Sequence, residues 1–172
     1  MISGRFGDTS GRPYVEARVL FPRLKMMIAV PPPGEADVSF LMDTGADLTT
    51  IMPTDWLRFS LGYERLVKPF TIYGVGGKAE GFIEEAIITF VEPGSALRVY
   101  AAKVIILRAT QYIMEAPSLL GRDIMNKWSV TFDRPGNRIA VRVAKADHTF
   151  KLTKQLPGLI PLPGVAPAII HS

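Results

Sequence analysis

Fifteen glycines and fourteen prolines fall within a chain of 172 residues. Proline removes a backbone N–H and glycine weakens a helix interior, so this density interrupts helices often and suits short strands joined by turns. The expectation is an all-β, or mainly β, fold. The length is that of one ordinary domain. Hydrophobic residues at 48% against charged residues at 21% leave ample apolar surface for a core and lie far from the composition of a disordered chain.

Cysteine is absent, which removes disulfides, thiolate metal sites and a cysteine nucleophile together. His148 and His171 are the only imidazoles, and neither has a second histidine at helical spacing. No metal site is expected. The N-terminus lacks the basic and apolar regions of a signal peptide, and no apolar run reaches the roughly 18 residues of a membrane span. The sequence thus reads as a soluble, cytoplasmic protein without a membrane partner.

The net charge of +4 is concentrated between residues 133 and 154, where Arg134, Arg138, Arg142, Lys145, Lys151 and Lys154 face only Asp133 and Asp147. A nucleic-acid reader would interleave such a stripe with aromatics. Here Ile139, Val141 and Val143 alternate with Arg138 and Arg142, the pattern of a strand with one wet and one buried face. A solvated face is favoured over a phosphate-binding patch, and no nucleic-acid partner is expected.

Strand-like runs occupy residues 15–20, 25–30, 37–42, 70–73, 82–91, 98–107, 129–132 and 138–143. Turn formers separate them at residues 31–34, 74–77, 92–95 and 133–137. The runs at 82–91 and 98–107 suit one long hairpin and those at 129–132 and 138–143 a second. Residues 53–59 suit one or two helical turns with Pro53 at an early position. Ile124, Met125 and Trp128 recur at three-to-four spacing and predict a short helix over 121–127. The division expected is a domain over residues 1–150 and a proline-rich tail over 151–172, where Pro157, Pro161, Pro163 and Pro167 deny regular structure.

Three segments carry chemistry. Asp43-Thr44-Gly45-Ala46 follows an apolar strand, so a carboxylate is held at its end with a hydroxyl beside it and a glycine that admits a close backbone approach. Tyr73-Gly74-Val75-Gly76-Gly77 is a glycine-rich hairpin tip. It is not a phosphate cradle: a dinucleotide fingerprint would need glycine where Ala79 stands, and a P-loop would need Ser or Thr there after Lys78. Ser118-Leu119-Leu120-Gly121-Arg122-Asp123 opens the short helix near the end.

In this order the three segments resemble the retropepsin-like aspartic proteases, over roughly residues 38–132. The resemblance implies a closed acid-protease barrel with a flap hairpin and one short C-terminal helix, active as a symmetric homodimer. Asp43 becomes the catalytic aspartate, Thr44 braces the paired loops, and Gly45 contacts the substrate backbone. Residues 73–77 become a flap, with Tyr73, Gly74, Val75, Gly76 and Gly77 over the bound peptide. Ala46, Asp47, Leu48, Pro117 and Leu119 fall at substrate-binding positions, and Asp47 with Arg122 at a structural ion pair. The implied activity is aspartic endopeptidase on peptide or protein substrates, without a cofactor.

Two carboxylates must share a proton for this chemistry, and the chain holds one Asp-Thr-Gly, so two copies must each supply Asp43. Ala46 has no hydroxyl to offer the ionised dyad, which places the expected optimum at weakly acidic pH, about 5 to 6. A catalytically inactive peptide-binding or dimerisation module on the same barrel is the alternative.

Overall fold

The computed structural model describes residues 1–7, 11–24, 34–74, 77–110 and 113–152. The strand expected over residues 25–30, most of the turn at 31–34, Val75, Gly76 and the proline-rich stretch from Leu156 lie outside the described residues.

The described chain is mainly β. In order it forms β1 (Ile2–Gly7), β2 (Arg12–Leu20), β3 (Glu35–Met42), β4 (Thr50–Ile51), α1 (Pro53–Arg58), a 3-10 turn (Tyr63–Arg65), β5 (Pro69–Gly74), β6 (Gly77–Glu92), β7 (Ala96–Leu107), β8 (Leu119–Leu120), α2 (Arg122–Met125), β9 (Trp128–Asp133), β10 (Arg138–Val143) and β11 (His148–Lys151). Period-two alternation decides which side chains turn inward. Val15, Ala17 and Val19 of β2, Val38, Phe40 and Met42 of β3, and Ala86, Ile88 and Phe90 of β6 are all buried in one core.

Hydrogen bonding closes this core on itself. β6 pairs with β7 from Gly81 to Glu92 and also with β2, so β2, β3, β8, β4, β7 and β6 form a ring. Most pairings are antiparallel, but β3 with β8 and β4 with β7 run parallel. β8 pairs with β3 on one side and, antiparallel, with β4 on the other, so the loop from β3 to β4 must cross over it. Outside the ring, β1 extends the sheet through β10 to β9.

Both expected hairpins form, as β6–β7 and β9–β10. On β10, Ile139 and Val141 are buried while Arg138 and Arg142 are exposed, so the basic run is a solvated strand face. The helix expected over 121–127 spans only Arg122–Met125. A second helix, α1, carries Pro53 in its first turn and is fixed by Trp56 and Phe59, which meet Phe21 at ring-centroid distances of 5.4 and 5.0 Å. Among the described residues, no helix is long and apolar enough to cross a membrane.

Candidate active site

The alternation that buries Val38, Phe40 and Met42 ends β3 at Asp43, the first residue of the crossing loop. The Asp43 backbone N–H donates to the Leu120 carbonyl at 3.1 Å, which pins the start of the loop to β8. Two residues on, the Gly45 N–H donates to Asp43 Oδ1 at 2.8 Å. The Ala46 N–H returns to the Asp43 carbonyl at 3.2 Å. The carboxylate is therefore oriented by its own loop, as in an Asx turn, and stays partly exposed.

The loop rests on α2. Arg122 N–H donates to the Ala46 carbonyl at 2.8 Å and Asp123 N–H to the Asp47 carbonyl at 3.1 Å. The Arg122 guanidinium also donates to Asp47 Oδ1. Behind the loop, fully buried Thr49 donates its hydroxyl to Asp123 Oδ1 at 2.9 Å and accepts from the Gly121 N–H at 3.2 Å. Gly121 approaches so closely that a Cβ there would stand 2.5 Å from the Leu48 carbonyl carbon and 2.7 Å from the Thr49 nitrogen. Glycine is required by that approach.

Above the loop lies a cleft of about 1100 Å³. Its floor carries Asp43, Gly45 and Ala46, and one wall is an apolar cluster of Met52, Ile105 and Leu107 with Leu48, Ile72 and Leu119 packed against it. The β5–β6 hairpin, which carries Ile72, also lines the cleft through Phe70, Tyr73 and Lys78; in it Tyr73 pairs with Lys78 and Gly74 with Gly77. Gly77 has φ of +100°, a value that suits glycine at the tip of so tight a turn.

Charge at the rim is mostly paired. Lys78 Nζ donates to Glu80 Oε1 at 3.0 Å, and this hydrogen bond holds the Glu80 carboxyl below the usual carboxylate range. Arg108 lies over the Phe82 ring, its guanidinium carbon 4.8 Å from the centroid. Below it, the Tyr63 hydroxyl donates to the Leu107 carbonyl at 2.9 Å, and burial pushes that phenol up.

Of the residues singled out from the sequence, Asp43, Gly45, Ala46, Asp47, Leu48, Tyr73, Gly77 and Leu119 line this one cleft. Pro117 does not reach it, and Thr44 is exposed beside it. Gly74 closes the hairpin, while Val75 and Gly76 lie outside the described residues. Sequence reasoning missed Thr49, Asp123, Met52, Ile72, Ile105 and Arg108. A period-two reading continued through residues 70–80 would have found Ile72, because Ile72 and Ala79 are cross-strand neighbours on the cleft face.

The profile of the retroviral aspartyl protease matches residues 11–133, and the chain belongs to that family. Among solved structures it is similar to EIAV protease complexed with an inhibitor, at 21% identity and a TM-score of 0.44 over 70% of this chain and 90% of that one. It is also similar to a retropepsin-like aspartic protease from Rickettsia conorii, at 15% identity and a TM-score of 0.48 over 83% of this chain and 99% of that one. No curated protein matches the sequence.

Proposed function

We propose that the protein is an aspartic endopeptidase whose active form contains two copies of the chain, each supplying Asp43. The observation that carries this reading is the Asp43 carboxylate, oriented by the Gly45 N–H at 2.8 Å on the floor of a long, largely apolar cleft. One such carboxylate is half of the required machinery. Two brought together across a two-fold axis cannot both ionise, so they hold one proton between them.

The reaction then follows from that shared proton. The ionised carboxylate takes a proton from a water, whose oxygen attacks the scissile carbonyl carbon. The protonated partner donates to the carbonyl oxygen and stabilises the charge that develops there. Collapse of the tetrahedral diol breaks the C–N bond, and a proton from the dyad leaves with the amine. Water and peptide yield one carboxylic acid and one amine. Thr44, exposed next to Asp43, braces the loop of the second copy, and Asp47 with Arg122 ties each loop to α2. Tyr73 and the glycines that follow cover the substrate as a flap, with backbone freedom suited to opening and closing. The substrate is an extended peptide segment bound against Leu48, Ile72 and Leu119.

The test is cleavage of a diverse peptide library from pH 3 to 8 by the wild type and by Asp43→Asn, with solution mass recorded for each. Cuts made by the dimer and absent from a folded mutant support the reading. A folded dimer that binds peptides and cuts none would instead be the non-catalytic module.

A further inference from the structure

On β6, Ala86, Ile88 and Phe90 turn into the core, so Ile87, Thr89 and Val91 turn away from it. The registers of the sheet continue that outer face across three strands. Val91 pairs with Leu97 and Leu97 with Phe150, and the next row runs from Thr89 through Val99 to His148. Val91 is 53% exposed and Phe150 57%, and Leu152, two positions beyond Phe150, is 41% exposed. Further along the same face Ile87 pairs with Ala101, and these two with Pro22 line a depression of about 370 Å³. Apolar side chains exposed singly need no explanation, whereas a row of them on one face marks a surface that something covers.

We propose that this outer face is the docking site of the chain's own C-terminal segment, residues 156–170. The described structure ends where that segment would begin. The Leu152 N–H donates to the Ser95 carbonyl at 2.9 Å, so β11 delivers the chain to the β6–β7 turn, beside Val91 and Leu97. From Gln155 to Ser172 the sequence has no Asp, Glu, Lys or Arg, and it holds six leucines and isoleucines: Leu156, Leu159, Ile160, Leu162, Ile169 and Ile170. Water favours burying so much aliphatic surface, and the nearest apolar surface to the point of exit is the row of Val91, Leu97 and Phe150.

The chemistry of the segment selects a face and not an edge. Pro157, Pro161, Pro163 and Pro167 have no N–H to donate, so a strand added beside β11 would miss bonds along its length. An extended proline-rich chain instead lays its side chains on an apolar surface, and it loses little conformational entropy in doing so. Pro157-Gly158 is a turn-forming pair, which lets a chain leaving at Ser95 double back over the row. The reach is sufficient. Val91 and Ile87 lie four positions apart on one strand, about 13 Å, and the stretch from Leu159 to Ile170 in polyproline geometry covers roughly 37 Å. Tethering keeps the segment at about millimolar effective concentration, so contacts too weak to hold a free peptide are enough.

The full chain has no cysteine, so single thiols report on single surfaces. Val91→Cys, with Phe150→Cys as a second reporter, places one on the proposed site; Tyr73→Cys, at a position 79% exposed, places one at the cleft; Leu57→Cys, at a position 64% exposed, places one on α1. All are made in an Asp43→Asn background, so that no cleavage shortens the chain. Maleimide labelling of each is timed with the native segment and with Leu159→Asp, Ile160→Asp and Leu162→Asp combined, circular dichroism confirming the fold. For a millimolar tether and a site of about 0.1 mM, labelling at positions 91 and 150 should be about tenfold slower with the native segment than with the acidic one, whatever the protein concentration, and unchanged at positions 57 and 73. Equal rates at positions 91 and 150 would overturn the proposal. Protection found at position 73 instead would put the segment in the cleft, and protection that grows with protein concentration would mean that a second copy covers the face; either result overturns it too.

Discussion

The Thr49 hydroxyl donates to Asp123 Oδ1 at 2.9 Å while accepting the Gly121 N–H at 3.2 Å, so one buried side chain binds the cleft loop to the start of α2. Asp123 Oδ1 also receives the Thr49 N–H at 3.1 Å, and its Oδ2 is buried without a hydrogen-bond partner among the described residues. Thr49→Val keeps the shape and removes the hydroxyl, stranding an N–H and weakening the hold on a buried carboxylate. The expected loss is about 1–3 kcal/mol in urea unfolding, with cleavage reduced further because Asp43 shares the loop. Thr49→Ser should recover most of both. Equal stability of the valine and serine variants would show that the hydroxyl carries no weight.

Gly121 is the second point where the loop depends on what lies beneath it. Its missing side chain lets α2 begin against the Leu48 and Thr49 backbone, and a methyl there would meet main-chain atoms that have no rotamer to adopt. Gly121→Ala should cost about 1–3 kcal/mol through overpacking and lower kcat more than it raises KM, since the loop and not the cleft walls is displaced. Thermal melts beside steady-state kinetics on a cleaved peptide would measure both.

Much of this was legible in the sequence, and the exceptions have physical causes. The chain order of apolar strand, Asp-Thr-Gly and turn is local, so Asp43 and the hairpin of β5 and β6 could be read from adjacent residues. β1 escaped notice because Ser3, Gly4 and Gly7 give it low strand propensity, and pairing with β2 and β10 overrides that preference. β4 and β8 are two residues each and exist only because neighbours from distant parts of the chain bracket them. The partnership of Thr49 with Asp123 spans 74 residues, and no local pattern announces it. The helix expected over 121–127 is shorter because Trp128 is taken into β9, where it packs against Phe90 at 4.8 Å between ring centroids.

A further consequence concerns acid stability. Glu84 is nearly fully buried on β6 and accepts from Arg23 Nε at 3.1 Å, from Arg23 Nη2, and from the Glu85 N–H at 3.2 Å. Burial, the largest influence, pushes this carboxyl up, but the Arg23 hydrogen bonds and charge together with the Glu85 N–H more than reverse it, and the group lies below the usual carboxylate value. A carboxyl lowered on folding stabilises the native state above its unfolded value, about 4.3, and that contribution is lost as pH falls through the folded value. Urea midpoints should therefore drop on acidification below about pH 4.3. Arg23→Gln removes the strongest influence that opposes burial, so its loss should begin at higher pH. Because solvent reaches Arg23, the cost at neutral pH should be about 1–3 kcal/mol and not the full value of a buried pair. Parallel acid profiles of the two proteins would contradict this account.

The residue after the glycine of the cleft loop bears on the pH of turnover. Ala46 lines the cleft with a methyl group where a serine would present a hydroxyl donor. A hydrogen bond to the ionised form of a carboxylate pair favours that form, and without it the shared proton is held to higher pH. Cleavage by the proposed dimer should accordingly peak at weakly acidic pH, about 5 to 6. Ala46→Ser restores a donor and should move the profile toward lower pH, with little change in dimer mass, because Ala46 is held through its backbone carbonyl by Arg122. The measurement is kcat/KM from pH 3 to 8 for both proteins on one peptide. A wild-type maximum near pH 2, or a serine profile displaced toward neutral pH, would show that the residue at position 46 does not set the charge state of the dyad.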